Sequence, residues 1–264
     1  MPSTIDIRRR IRSVRNTQQI TKAMKMVAAA KLRRSQERIN AARPYAAVLR
    51  KVLASVATRV EAEHPLLRKR EEKRVLLLVI TGDKGLCGAF NTSIVKAAHA
   101  AMDQHKREQV QLLPIGRKGN EYFRRRTIPI RHQVVNVFQA LSPETAKEIA
   151  KIIISDYAEE KIDAVYAVFN EFRSVIQQNL RLERLLPIER VEDPEAARID
   201  YLYEPDPQHI LAELLPRHIG FQIYRMLLDS AAAEHGARMT AMEAATKNAG
   251  EMISKLTLVY NRAR

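Results

Sequence analysis

The 264-residue chain has no tryptophan, one cysteine and eight glycines, none of them before Gly82. A lone cysteine, Cys87, excludes an internal disulfide and any cysteine-based zinc site. The longest uninterrupted aliphatic run, Val75 to Ile80, is six residues, far short of the ~20 that cross a bilayer as a helix. Near the N-terminus, where a secretion signal carries an apolar core, stand Asp6 and an arginine cluster, so neither membrane insertion nor signal-directed secretion is expected. Aromatic residues are scarce at 5%, and none precedes Tyr45. The opening segment therefore lacks the stacking platforms that single-stranded nucleic-acid modules use.

What is present is charge, placed unevenly. The formal net charge is +15, and residues 1–60 carry fifteen Lys or Arg against only Asp6 and Glu37. Over 61–205 the count is 23 against 22, and over 206–264 it is seven against six. Such a basic segment meets a polyanion, an acidic protein surface or anionic lipid, or is a solvated face. The same segment has an apolar stripe at alternating spacings of four and three: Ile7, Ile11, Val14, Gln18, Thr21, Lys25, Ala28, Leu32, Ser35, Ile39, Ala42, Ala46, Leu49, Leu53, Val56 and Val60. That spacing predicts one long helix with a coiled-coil seam, capped at Ser3 or Thr4 and bent near Asn40 to Ala41 by Pro44. A second stripe, through Phe221, Leu228, Ala232, Met239, Met242, Ala249, Ile253, Leu256, Tyr260 and Ala263, predicts a second long helix, with Pro216 interrupting it between Leu215 and Arg217. The two are expected to pair antiparallel, as a rod of residues 1–60 and 206–264 flanking a central unit of 61–205. Methionines 24, 26, 239 and 242 belong to the helix core or face a sliding partner, to which thioethers adapt.

In the central unit the pattern shortens to strand-like runs at 74–81, 111–116, 133–138, 163–170, 175–184 and 199–203, with helical stretches at 93–106 and 143–160. This alternation predicts an α/β fold with a Rossmann-like open, mostly parallel sheet. The run from Thr81 to Gly88 lies between a strand and a helix, where phosphate would be cradled. Its glycines, Gly82, Gly85 and Gly88, match neither G-x-G-x-x-G nor a P-loop, so a structural turn is expected there. Gly116 to Gly119 reads as a second strand-to-helix turn. The seven histidines form no metal-ligand motif and no serine sits in G-x-S-x-G. No catalytic residue, metal or cofactor is proposed on these grounds. Composition alone leaves a basic coiled-coil nucleic-acid binder as the alternative function, although no known nucleic-acid module is visible.

The segment from Ile7 to Arg34, IRRRIRSVRNTQQITKAMKMVAAAKLRR, resembles the opening helix of the γ subunit family of F-type ATP synthases. The likeness continues in the family's order with Ala42-Arg43-Pro44-Tyr45, TGDKGLCGAFN at 81–91, DYLYEP at 200–205, ARMTAMEAATKNA at 237–249 and LVYNRAR at 258–264. The family continues beyond that last segment with further helix, so the outermost tip of the rod is expected to be missing here. The absence of a transit peptide and of a cysteine-bearing insertion points to the bacterial type.

This resemblance implies a non-catalytic central shaft. It would carry torque between a proton-driven membrane c-ring and a ring of three α and three β subunits, during ATP synthesis or hydrolysis. Carried over by position, Met24, Arg238 and Arg264 contact β, while Tyr201, Tyr203 and Glu204 contact the ε subunit and the c-ring. The resemblance further implies no nucleic-acid partner and a peripheral location at the cytoplasmic face of the bacterial inner membrane, held only through the complex. The stretch from Gln18 to Lys25 is expected to contact the ring more than the partner helix.

Overall fold

The computed structural model describes residues 3–59, 64–174, 178–189, 204 and 206–264. In chain order the elements are α1 (Thr4–Arg59), β1 (Val75–Ile80), α2 (Phe90–Gln104), β2 (Val110–Ile115), α3 (Arg117–Arg124), α4 (Pro143–Ala158), β3 (Ala164–Phe172), β4 (Gln178–Leu186) and α5 (Pro207–Ala263).

Helix α1 starts where the Ser3 hydroxyl oxygen accepts the Asp6 backbone N–H at 3.2 Å while the Asp6 carboxylate accepts from Ser3, a reciprocal cap. Its 56 residues span ~84 Å at ~1.5 Å each. Every described position of the predicted seam is buried or half-buried. Contacts with α5 fall in reverse order: Arg8 meets Tyr260, Thr21 meets Thr246 at 2.8 Å, Lys25 meets Glu243 at 2.6 Å, and the Tyr45 ring lies 5.1 Å from that of Phe221. The pair is antiparallel, with both termini at one end.

Neither proline ends its helix. α1 is assigned without a break through Pro44, and α5 continues through Pro216, contrary to the interruption predicted between Leu215 and Arg217. The carbonyls that lose a donor belong to Asn40 and Ala212, both exposed residues, so water can replace the missing bond and packing of the apolar face holds the helix together. α5 begins at an Asp206 N-cap, whose side chain accepts the His209 N–H at 2.9 Å, with Pro207 in the first turn.

The sheet runs β2-β1-β3-β4; β1 is parallel to β2 and β3, and β4 closes the edge antiparallel to β3. β1 is buried along its whole length because both its faces are covered. Leu76, Leu78 and Ile80 pack with α4, α5 and the last turns of α1; Val75, Leu77 and Val79 pack with α2 and Phe123 of α3. The strand predicted at 133–138 is absent: Val134 makes one isolated bridge to Ile115, and Val137–Gln139 is a turn of 3-10 helix. The last predicted strand, 199–203, lies outside the described residues.

α5 belongs to both halves of the molecule. Met226 through Glu234 are all buried, since this stretch is packed against α1 and β3 at once. Toward its C-terminus only α1 remains as a partner of the stripe, and the helix pair leaves the sheet as a rod.

Candidate functional site

Two features distinguish the rod from an ordinary helical hairpin. The first is its far end. Ile5, Ile20, Met26 and Val27 on α1, and Met252, Leu258 and Val259 on α5, are large apolar side chains left exposed. Between them stand Arg9, Arg10, Arg12, Arg15 and Lys22, also exposed. A mixed apolar and cationic surface of this kind marks an interaction face more than a solvated one.

The seam beneath that surface is polar where the sequence turned polar. Thr21 is buried against Thr246, the Gln18 amide reaches the Thr246 carbonyl at 3.5 Å, and Lys25 pairs with Glu243. Against the expectation that Gln18 to Lys25 contact the ring more than the partner helix, Gln18, Thr21 and Lys25 all face α5. They occupy seam positions, and helical spacing turns only their neighbours, such as Ile20 and Lys22, away from the partner helix. Met24 is half-buried on the flank of the same seam. Arg264 is exposed in the final turn, its backbone N–H bonded to the Tyr260 carbonyl at 3.0 Å.

The second feature is the junction between rod and sheet, at the turn after β1. Glu234 of α5, 4% exposed, lies against the turn so closely that a Cβ on Gly82 would stand 2.8 Å from its carboxyl carbon. Any side chain at Gly82 would have to displace that carboxylate. The carboxylate accepts from Arg238, one turn on, at 2.5 Å, and the same guanidinium donates to the Gly85 carbonyl at 3.1 Å. Gly88 adopts a left-handed φ of +56° that turns the chain into α2, with room for a Cβ 3.9 Å from that of Ala241. Asp83 fastens the turn to the rest of the sheet's end by accepting the backbone N–H groups of Arg117, Asn136 and Phe138 at 3.0, 2.9 and 3.2 Å.

Burial raises the Glu234 carboxyl above its usual range, opposed by Arg238. It also depresses the His235 imidazole to about 4, with Arg238 and Lys31 adding to the effect. His235 is therefore neutral and Arg238 is the charged partner. The Cys87 thiol is likewise raised by burial, which removes thiolate character. The turn is thus a latch made of hydrogen bonds and close packing, with no activated nucleophile in it.

Arg238 is half-buried in this latch and not displayed on the surface. Of the residues carried over for the base, Tyr201 and Tyr203 lie outside the described residues and Glu204 is exposed. Sequence reasoning missed Glu234, Asp83 and Leu86. The signal for Glu234 was a carboxylate inside the run Ala231 to Ala237, four residues before an arginine. For Leu86 there was none: it is 65% exposed and held at φ +60° at the tip of the turn, a conformation that costs a branched residue about 1 kcal/mol.

Comparison with known proteins adds the following. A family model described as ATP synthase matches residues 3–264. The chain is 54% identical over 269 residues to the ATP synthase gamma chain of Solibacter usitatus, covering 100% of this chain and 93% of the relative. It is 47% identical over 272 residues to that of Chlorobaculum parvum, with the same coverage. Among solved structures, a chain from the central stalk and c-ring of Tetrahymena thermophila mitochondrial ATP synthase is 30% identical with a TM-score of 0.68, covering 86% of this chain and 99% of that one. A rotor chain of Euglena gracilis mitochondrial ATP synthase, 18% identical with a TM-score of 0.73, shares the fold over 99% of this chain and 97% of its own. The chain belongs to the ATP synthase gamma chain family.

Proposed function

We propose that the chain is the central rotor shaft of a bacterial F-type ATP synthase. It couples rotation of a proton-driven c-ring to the nucleotide-binding states of an α3β3 ring and performs no bond chemistry of its own. The observation that carries this reading is the rod: two antiparallel helices projecting from a latched α/β unit, with exposed apolar and cationic side chains at the end far from the sheet. Those residues need a sleeve. A shaft with unlike faces presents each β subunit with a different surface as it turns, and differential contact of that kind biases a conformational equilibrium.

In this reading Met24 and Arg264 meet β directly. Arg238 serves the same contact from its place in the latch, where its orientation is fixed. Tyr201, Tyr203 and Glu204 meet ε and the c-ring, and residues 1–60 and 206–264 act as the shaft about a base formed by 61–205. No helix among the described residues is long and apolar enough to cross a membrane; in this reading the chain is attached peripherally, through the complex, at the cytoplasmic face of the inner membrane. The +15 charge, concentrated on α1, suits acidic segments of the sleeve, and no observation favours nucleic acid.

The test is reconstitution with α and β subunits, with the chain alone as control. Assembly and ATP hydrolysis only in the mixture support the shaft. Failure to assemble, with nucleotide turnover or salt-sensitive DNA binding by the chain alone, overturns it.

A further inference from the structure

A groove of about 640 Å³ lies where α4 meets the paired helices α1 and α5. Tyr45, Ile154, Pro216, Phe221 and Tyr224 wall it. Ala42, Ala150 and Gly220 form its floor. A Cβ on Gly220 would sit 3.8 Å from that of Ala150, an ordinary contact, so helix packing does not demand glycine here. Its consequence is a deeper floor. The volume falls within the range of small-molecule pockets, and the wall is apolar with aromatic faces, as such pockets are.

The polar groups on the lining are all of one kind. Lys147, Lys151 and Arg217 stand around the groove, and no aspartate or glutamate lines it. Lys147 and Lys151, one turn apart on α4, are exposed and make no ion pair among the described residues, whereas Arg217 is held by Glu213 at 3.1 Å. The phenol hydroxyls of Tyr45 and Tyr224 make no hydrogen bond among the described residues, so two neutral donors accompany two unpaired cations. An apolar trough rimmed by unpaired cations, with hydroxyls able to donate and no carboxylate, complements an apolar body ending in a single anionic head.

We propose that this groove binds a small amphipathic organic anion of the fatty-carboxylate class, its chain along Ile154, Phe221 and Tyr224 and its carboxylate at Lys147 and Lys151. The occupant bridges α4 to both rod helices. The proposal stands independently of the shaft reading, because it concerns binding to the chain itself.

The experiment is calorimetric titration of the full chain with decanoate, paired with photolabelling by a diazirine-bearing decanoate and peptide mapping. One saturable site is expected, weakened by salt, with label in 143–154 and 216–224. The Lys147→Glu/Lys151→Glu variant, altered only at exposed positions, should bind at least tenfold more weakly. Gly220→Leu should abolish binding with an unchanged far-ultraviolet circular dichroism spectrum. No saturable binding, an affinity indifferent to the lysine variant, or label confined to the exposed apolar residues around Met26 and Leu258 would each overturn the proposal.

Discussion

Replacing Asp229 by asparagine should stabilise the protein, and by an amount that depends on pH. Asp229 lies on α5 and is only 7% exposed. It makes no hydrogen bond among the described residues, and its one cation on the same helix, Arg225, is 3.8 Å away and already committed to Glu183 of β4 and the Gln222 side chain. Glu171 of β3 and Glu183 add negative charge around it, and Arg43 of α1 only partly offsets them. Burial comes first among the causes that raise its carboxyl from 3.8 to about 6. At ~1.4 kcal/mol per unit, holding the ionised form in place costs about 3 kcal/mol. The sign follows from proton binding. The folded state grips this proton more tightly than the unfolded state, so the group's contribution is favourable below pH 3.8 and is lost as pH rises toward 6. Asparagine is neutral throughout and nearly isosteric. In urea denaturation, Asp229→Asn and the parent chain should be equally stable at about pH 3.5, diverge by up to ~1.4 kcal/mol per pH unit, and differ by about 3 kcal/mol at about pH 8. Titrations of groups that do not act on Asp229 cancel in that difference, which leaves the neighbouring Glu171 and Glu183 as the only carboxylates coupled to it. A gap that does not change with pH, or a variant less stable than the parent under alkaline conditions, would refute the argument that Asp229 is desolvated without adequate pairing.

Gly82→Ala forces a methyl group into the Glu234 carboxylate, which Arg238 holds in place; overpacking of this kind should cost about 1–3 kcal/mol in thermal or urea unfolding, whereas Gly85→Ala, with nothing within 4 Å of the new Cβ, should cost far less. Asp156 shows the opposite titration from Asp229. Two bonds from Arg131, at 2.6 and 2.9 Å, and one contact with His132 hold it at about 2. Asp156→Asn should therefore destabilise by about 2 kcal/mol at neutral pH, a difference measured in urea that shrinks as pH falls from 3.8 through about 2. Met24→Lys adds a cation on the flank of the rod, and in the assembled enzyme ATP-driven proton pumping per ATP hydrolysed should fall; an unchanged ratio removes Met24 from the coupling contact.

The rod was legible in the sequence because its signal is periodic and long. The alternating three and four spacing from Ile7 to Val56 survives polar interruptions at Gln18, Thr21 and Lys25, and those interruptions still face the partner helix. Pro216 was misleading for a local reason. It was weighed by the hydrogen bond it removes and not by the buried stripe of Leu211, Leu215, Ile219 and Ile223 on either side, which packs regardless. The middle strands were legible where both faces are buried, as at Val75–Ile80, and misread at 133–138, where apolar residues pack as an irregular segment along the edge of β2.

The junction was hidden for a different reason, which bears on what it does. A coiled-coil stripe predicts only which residues meet another helix, and α5 between Met226 and Ala237 meets α1 and the sheet together, so periodicity disappears where the two halves are joined. The charged residues of that stretch, Asp229 and Glu234, look like surface positions in sequence and are buried in fact. They are not equivalent. Glu234 is paired with Arg238 and fitted to Gly82, so its charge is compensated and its position fixed. Asp229 has only the long contact with Arg225, which Glu183 and Gln222 already share, and contributes a pH-dependent destabilisation one and a half turns away. A joint that must pass force without yielding is served by the first arrangement, and the second lowers the stability of the same helix without loosening that joint. Substitutions at the two sites should therefore separate: Asp229→Asn changes stability and leaves coupling intact, while Gly82→Ala disturbs the joint itself.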